Sequence, residues 1–145
     1  MNDVYIVAAK RSAVGKNRGG FRYYRPDNLL ADVLKNLVAS VPSLDPKAIN
    51  DVIIGCAMPE AEQGMNVARI STLLAGLPEC VPAMTINSFC SSGSQTIALA
   101  ADRIRSGEAD VIIAGGVESM SMVPMGGNKW SAAPAGPIQS PRRWR

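Results

Sequence analysis

Thr85-Ile86-Asn87-Ser88-Phe89-Cys90-Ser91-Ser92-Gly93-Ser94-Gln95 is the stretch that decides how this chain is read. It closes an apolar run and opens a helical pattern, so it sets a cysteine on the turn between a buried strand and a helix. A nucleophile on such an elbow is presented at the carboxyl end of a strand, where open parallel sheets hold their sites. A helix N-terminus brings positive partial charge and unbonded N–H groups, which favour a thiolate and can stabilise an oxyanion. Gly93 and the small serines allow a substrate close to the backbone. Thr96 to Ala101 carries no charge on any face, so the first turns of this helix are expected to be buried. The residues alone leave two readings of Cys90 open: an activated nucleophile, or a buried structural thiol of the kind most free cysteines are.

Working outward, strands alternate with helices. Val4 to Ala9 reads as a first strand, too apolar for a half-exposed edge, and a loop follows from Lys10 to Pro26. Asp27 is placed to cap a helix whose apolar stripe is Leu29, Leu30, Val33, Leu34, Leu37, Val38 and Val41. Asp45-Pro46 opens a short helical turn, because proline lacks only an N–H that a first helical position leaves unused. Val52 to Cys56 is a second buried strand. Val67, Ile70, Leu73, Leu74 and Leu77 space out a second helix, ended by Gly76 and Pro78. Val81 to Phe89 is the third strand, Ser92 to Ser106 the third helix, stopped by Gly107, and Asp110 to Ala114 the fourth strand. This pattern predicts an α/β fold, a mostly parallel sheet with helices on both faces. Residues 1–129 form one domain. Residues 130–145 hold both tryptophans and three of the ten prolines with no apolar periodicity, and are expected to be an irregular, disordered tail.

Composition narrows the chemistry. The 145 residues are 47% hydrophobic and 19% charged, as in a globular domain. There is no histidine, which excludes a Ser-His-Asp triad, a Cys-His dyad or a His-ligated metal within this chain. Cys56, Cys80 and Cys90 have no paired spacing, so neither a disulfide framework nor a zinc ribbon is expected, and Cys56 and Cys80 read as packing residues. No apolar run approaches the roughly 18 residues of a membrane span, and the start lacks the basic n-region of a signal peptide. The expected compartment is the cytoplasm, with no membrane partner.

The formal charge of +3 comes entirely from Arg142, Arg143 and Arg145; without them twelve bases face twelve acids. Lys10 to Arg25 does hold six bases, no acid, and Phe21, Tyr23 and Tyr24 between them. Such a mixture can bind single strands, but beside a neutral body it reads as a solvated or interface loop, and no nucleic-acid partner is expected. Gly15-Lys16 lacks the glycine and Ser/Thr positions of a phosphate loop. Met120, Met122 and Met125 read as adaptable packing or a subunit contact.

Ile86-Asn87-Ser88-Phe89-Cys90-Ser91-Ser92-Gly93, with Gln95, Ile97 and Ile104, resembles the acyl-enzyme signature of the thiolase family, of the 3-ketoacyl-CoA thiolase (acetyl-CoA C-acyltransferase) type. Three further segments are similar to that family in the same order: Arg11-Ser12-Ala13-Val14-Gly15-Lys16, Glu62 to Arg69, and Gly115-Gly116-Val117-Glu118-Ser119-Met120-Ser121. The resemblance covers about residues 4–129 and implies a thiolase-like N-terminal domain, incomplete at its far end. It implies that Cys90 takes an acyl group from acyl-coenzyme A as a thioester, with coenzyme A as co-substrate, no bound cofactor, and a homo-oligomer (dimer or tetramer) in the complete protein. Ala57 to Gly64 resembles the degradative, fatty-acid branch more than the biosynthetic one. The activating histidine and proton-shuttling second cysteine belong to a C-terminal half that this sequence lacks, so turnover by this chain alone is not expected. Ser88 and Ser94 stand where the family more often has Arg and Leu. The alternative reading is a non-catalytic remnant that acts only in subunit association. A ketoacyl synthase also uses an elbow cysteine, but the flanking segments match thiolases better.

Overall fold

The structure, a computed structural model, describes residues 2–128. The expected tail from Trp130 to Arg145 lies outside the described residues. In chain order the elements are helix α1 (Pro26–Ala39), a 3₁₀ turn (Pro46–Ala48), strand β1 (Asp51–Gly55), a second 3₁₀ turn (Ala61–Gln63), helix α2 (Val67–Leu74), strand β2 (Ala83–Ile86), helix α3 (Ser92–Arg105) and strand β3 (Ile112–Gly116).

The three strands form one parallel sheet in the order β2-β1-β3. Val52 pairs with Ala83 on one side of β1 and with Ile113 on the other, so β1 is central, and all five of its residues are buried. A strand buried on both faces reads as an uninterrupted apolar run, and Val52-Ile53-Ile54 does. Successive side chains point to opposite faces. Val52 and Ile54 join Leu30, Leu34, Ala68 and Val81 in one cluster under α1 and α2. Asp51 and Gly55 turn the other way, onto α3: Asp51 pairs with Arg103, and Gly55 lies against Ser92 and Gly93. Helices therefore cover both faces, as the alternating pattern predicted.

Helix boundaries follow local chemistry. Pro26 takes the first position of α1, where its missing N–H costs nothing, so Arg25 is the N-cap and Asp27 lies inside the first turn rather than capping it. The Asp27 carboxylate instead holds the Arg25 guanidinium at 2.7 Å. Asp45 accepts from the Lys47 amide at 3.0 Å and caps the short turn at Pro46. Gly76 and Gly107, both at φ +78°, follow α2 and α3 in the left-handed conformation that ends helices.

Four expectations are corrected. Val4 to Ala9 has no regular secondary structure and pairs with no strand among the described residues, and Tyr5, Ile6 and Val7 are 77–81% exposed. An apolar run states a demand for burial, not the edge that meets it. The third strand is only Ala83–Ile86, because Asn87 turns its side chain back to the preceding loop. The fourth begins at Ile112 rather than Asp110, whose amide, like that of Val111, is taken by the Asn50 side chain. The uncharged start of α3 is buried along one face only, at Ser92, Thr96 and Ala100, while Ile97 is 53% exposed.

Candidate active site

β2 runs into the elbow at residues 87–91 and then into α3, which lies on the opposite face of the sheet from α2. Neighbouring strands whose following helices part to opposite faces open a crevice at their carboxyl ends. Cys90 stands on that elbow with an exposed thiol, not as the buried structural residue that was the other reading. Its backbone is held from both sides. The Asn87 carboxamide accepts from the Phe89 amide at 2.8 Å. The Ser92 hydroxyl accepts from the Ser88 amide at 2.8 Å and donates to the Phe89 carbonyl at 2.6 Å. Between them Phe89 is at φ +48°, a left-handed conformation that a bulky side chain rarely takes. Phe89 is itself 68% exposed, so packing of its ring does not hold it there.

Among the described residues the amides of Gly93 and Ser94 have no hydrogen-bond partner, while Cys90 stands in an isolated bridge with Ser88. The two free amides are among the first-turn donors that every helix leaves unused. The mouth of α3 thus offers N–H groups beside a thiol, the pairing that the sequence suggested. Close seating of that mouth on the sheet depends on glycine. A Cβ on Gly55 would stand 2.5 Å from the Ser92 carbonyl carbon and 2.7 Å from the Gly93 nitrogen.

Behind the elbow, the loops that follow all three strands are joined by hydrogen bonds. Glu118, after β3, accepts from the Ala57 amide at 2.6 Å and from the Gln63 carboxamide. Gln63, fully buried, also donates to the Met58 carbonyl at 2.8 Å and accepts from the Ser119 amide at 2.9 Å. Asn87, after β2, donates to the Ala57 carbonyl at 3.0 Å. Glu118 and Gln63 lie within the quoted motifs, but nothing in their spacing indicated that they meet across 55 residues.

The other two thiols differ from Cys90. Cys56 is buried under the same loops, 3.9 Å from a Glu118 carboxylate oxygen. Burial, and then that neighbouring negative charge, push its thiol up to about 11. It stays neutral and inert at physiological pH. Cys80 is exposed on the turn before β2, which corrects its reading as a packing residue. No group of three or more His, Cys, Asp or Glu that could hold a metal occurs among the described residues.

A separate hollow of about 590 Å³ lies between Lys10–Asn17, the Leu29–Leu37 side of α1 and the strand β3, and Cys90 does not line it. The basic segment around it is mostly exposed. Arg22 lies over the Tyr23 ring at 4.6 Å, and the Arg18 amide donates to the Ser121 hydroxyl at 2.8 Å.

A parallel three-stranded sheet covered by helices, with an exposed cysteine on the elbow between β2 and α3, defines a class of α/β domain. The particular family follows from comparison, since residues 4–135 match the family described as thiolase, N-terminal domain. This chain belongs to the thiolase family, through that domain. It is 50% identical over 129 residues to a 3-ketoacyl-CoA thiolase of Bacillus subtilis, covering 88% of this chain and 33% of the relative. It is 44% identical over 124 residues to a 3-oxoadipyl-CoA/3-oxo-5,6-dehydrosuberyl-CoA thiolase of Escherichia coli, covering 86% and 31%. The crystal structure of the Bacillus anthracis acetyl-CoA acetyltransferase superposes with a TM-score of 0.76 at 34% identity, over 88% of this chain and 34% of that one. The chain therefore spans about a third of the length of the relatives it matches. Among the described residues no helix is long and apolar enough to cross a membrane.

Proposed function

We propose that this domain carries the nucleophile of a thiolase-type acyltransferase, which cleaves a 3-ketoacyl-CoA to acetyl-CoA and a shortened acyl-CoA, or runs the reverse condensation. The observation that carries this reading is the exposed thiol of Cys90 on an elbow whose helix mouth has free amide donors. The Cys90 thiolate attacks the 3-keto carbon, and the negative charge on the carbonyl oxygen is met by backbone N–H groups, the Cys90 amide first. The bond between C2 and C3 then breaks. Its electron pair leaves with acetyl-CoA as the enolate, which takes up a proton, and the acyl group stays on Cys90 as a thioester. The thiol of coenzyme A attacks that thioester, releasing acyl-CoA and restoring the thiol. Coenzyme A is a co-substrate in this scheme, and no resident cofactor is needed. The names of the relatives, all acting on CoA thioesters, support the substrate class.

Proton transfer is the part these residues do not supply. With no histidine in the chain and Cys56 buried and neutral, no general base stands out for Cys90. Each missing acid–base role costs about 10²–10⁴-fold, so turnover is assigned to a complete, homo-oligomeric enzyme, in the cytoplasm, and not to these 145 residues alone. The exposed apolar run Tyr5-Ile6-Val7 fits a second reading, a remnant that only associates with other thiolase-fold chains.

The deciding experiment labels folded protein with iodoacetamide near pH 7 and maps the product by peptide mass, with Cys90→Ala as control. Mapping is required because Cys80 is exposed as well. Labelling at Cys90 well above the rate at Cys80 supports the nucleophile; equal rates leave the remnant reading ahead.

A further inference from the structure

The left-handed Phe89 and the carboxamide of Asn87 raise a question that the proposed chemistry does not answer: what keeps the elbow in a conformation it would otherwise leave. The two ends of Asn87 are both used. Its oxygen accepts from the Phe89 amide at 2.8 Å and its nitrogen donates to the Ala57 carbonyl at 3.0 Å. Only a group with an acceptor and a donor on one short stem fits both partners, and the partners fix which way the carboxamide faces. Ala57 is itself anchored, its amide donating to Glu118, which accepts from the buried Gln63. The elbow after β2 is thereby tied, through one side chain, to the loops after β1 and β3.

We propose that Asn87 is the positioning residue of this site: by accepting from the Phe89 amide, it keeps the 89–90 backbone in the left-handed turn that carries Cys90 into the start of α3. The proposal rests on the reading of Cys90 as nucleophile. Without the carboxamide, Phe89 is free to return to a negative φ, the peptide between Phe89 and Cys90 turns with it, and Cys90 is carried away from the start of α3. Asn87 touches neither substrate nor thiol in this scheme; it acts through the backbone.

The test measures iodoacetamide labelling of all three cysteines at pH 7 in the wild type, Asn87→Ala and Asn87→Ser, mapped by peptide. Cys80, exposed and remote in sequence, is the internal reference, and buried Cys56 reports loss of the fold. Serine keeps a short acceptor for an amide two residues on, and so is the rescue variant. Asn87→Ala is expected to lower the Cys90-to-Cys80 rate ratio about fivefold, the worth of one hydrogen bond, with Cys56 still protected, and Asn87→Ser to restore most of it. An unchanged or raised ratio in Asn87→Ala overturns the proposal, and so does an equal fall in both variants. If Asn87→Ala exposes Cys56, Asn87→Ser decides alone: a wild-type ratio upholds the acceptor role and a fivefold fall overturns it. A wild-type ratio near one counts against Cys90 as nucleophile, while the change between variants still judges Asn87, so the two failures are distinguishable.

Discussion

Gly55 and Ser92 meet backbone to backbone: a Cβ on Gly55 would stand 2.5 Å from the Ser92 carbonyl carbon. The last residue of the central strand is thus the floor on which α3 rests. None of the three atoms that would be struck, the Ser92 carbonyl carbon, the Gly93 nitrogen and the Ser92 Cβ, is the end of a flexible side chain, so the helix itself would have to move. Gly55→Ala is expected to lose about 1–3 kcal/mol of stability and to change Cys90 labelling through displacement of α3. Urea unfolding checks the first part, and a midpoint equal to wild type would show that the helix seats elsewhere.

Phe89 gives the opposite expectation. Its φ of +48° costs a non-glycine residue about 1–2 kcal/mol, while glycine gives back part of that gain through the greater freedom of its unfolded chain. With the ring mostly exposed, little burial is lost. Phe89→Gly is therefore expected to leave stability within about 1 kcal/mol of wild type, or to raise it by that much. Thermal unfolding reads the difference, and a loss above 2 kcal/mol would mean that the ring packs after all.

Cys56 makes stability depend on pH at the alkaline end. Its thiol is raised from an ordinary 9.0 to about 11, so above pH 9 the unfolded chain ionises it while the folded one does not. Deprotonation then favours unfolding. The contribution is complete below pH 9 and is lost as pH rises through 11, for about 2–3 kcal/mol in all. Denaturant curves at pH 7, 9 and 11 should show Cys56→Ala losing less than wild type over that range. Parallel losses would remove Cys56 as the cause.

Asp51 is a buried carboxylate at the start of the central strand, held by the Arg103 guanidinium from α3, which also reaches Glu108 at 2.8 Å. Arg103→Met strands that carboxylate, at an expected cost of about 3 kcal/mol. Adding Asp51→Asn should recover 1 kcal/mol or more, about what coupled neighbours show in a double-mutant cycle. Strict additivity in unfolding free energy would mean that the pair is not coupled.

Much of the fold was legible where the deciding physics is local. Asp27, Asp45-Pro46, Gly76 and Gly107 each act within a turn, and they marked helix ends to within a residue or two. The elbow was legible for the same reason, because a strand, a cysteine and a helix start are consecutive in the chain. Asn87 and Glu118 were visible as letters of motifs but not as partners, since what joins them is Ala57, 30 and 61 residues away.

The sequence by itself determined that there would be alternating strands and helices, that no histidine chemistry could occur within this chain, and that Cys90 would sit between a strand and a helix. Tertiary structure alone decided that Val4 to Ala9 joins no strand among the described residues, that Ile97 faces outward, that Cys56 is buried while Cys80 is exposed, and that three loops lock behind the elbow. The division has a physical cause. Backbone propensity and capping act over a few residues and are written in order along the chain. Burial and hydrogen-bond partnership depend on which surfaces meet, and the sheet order β2-β1-β3 sets that across 30 to 60 residues at a time.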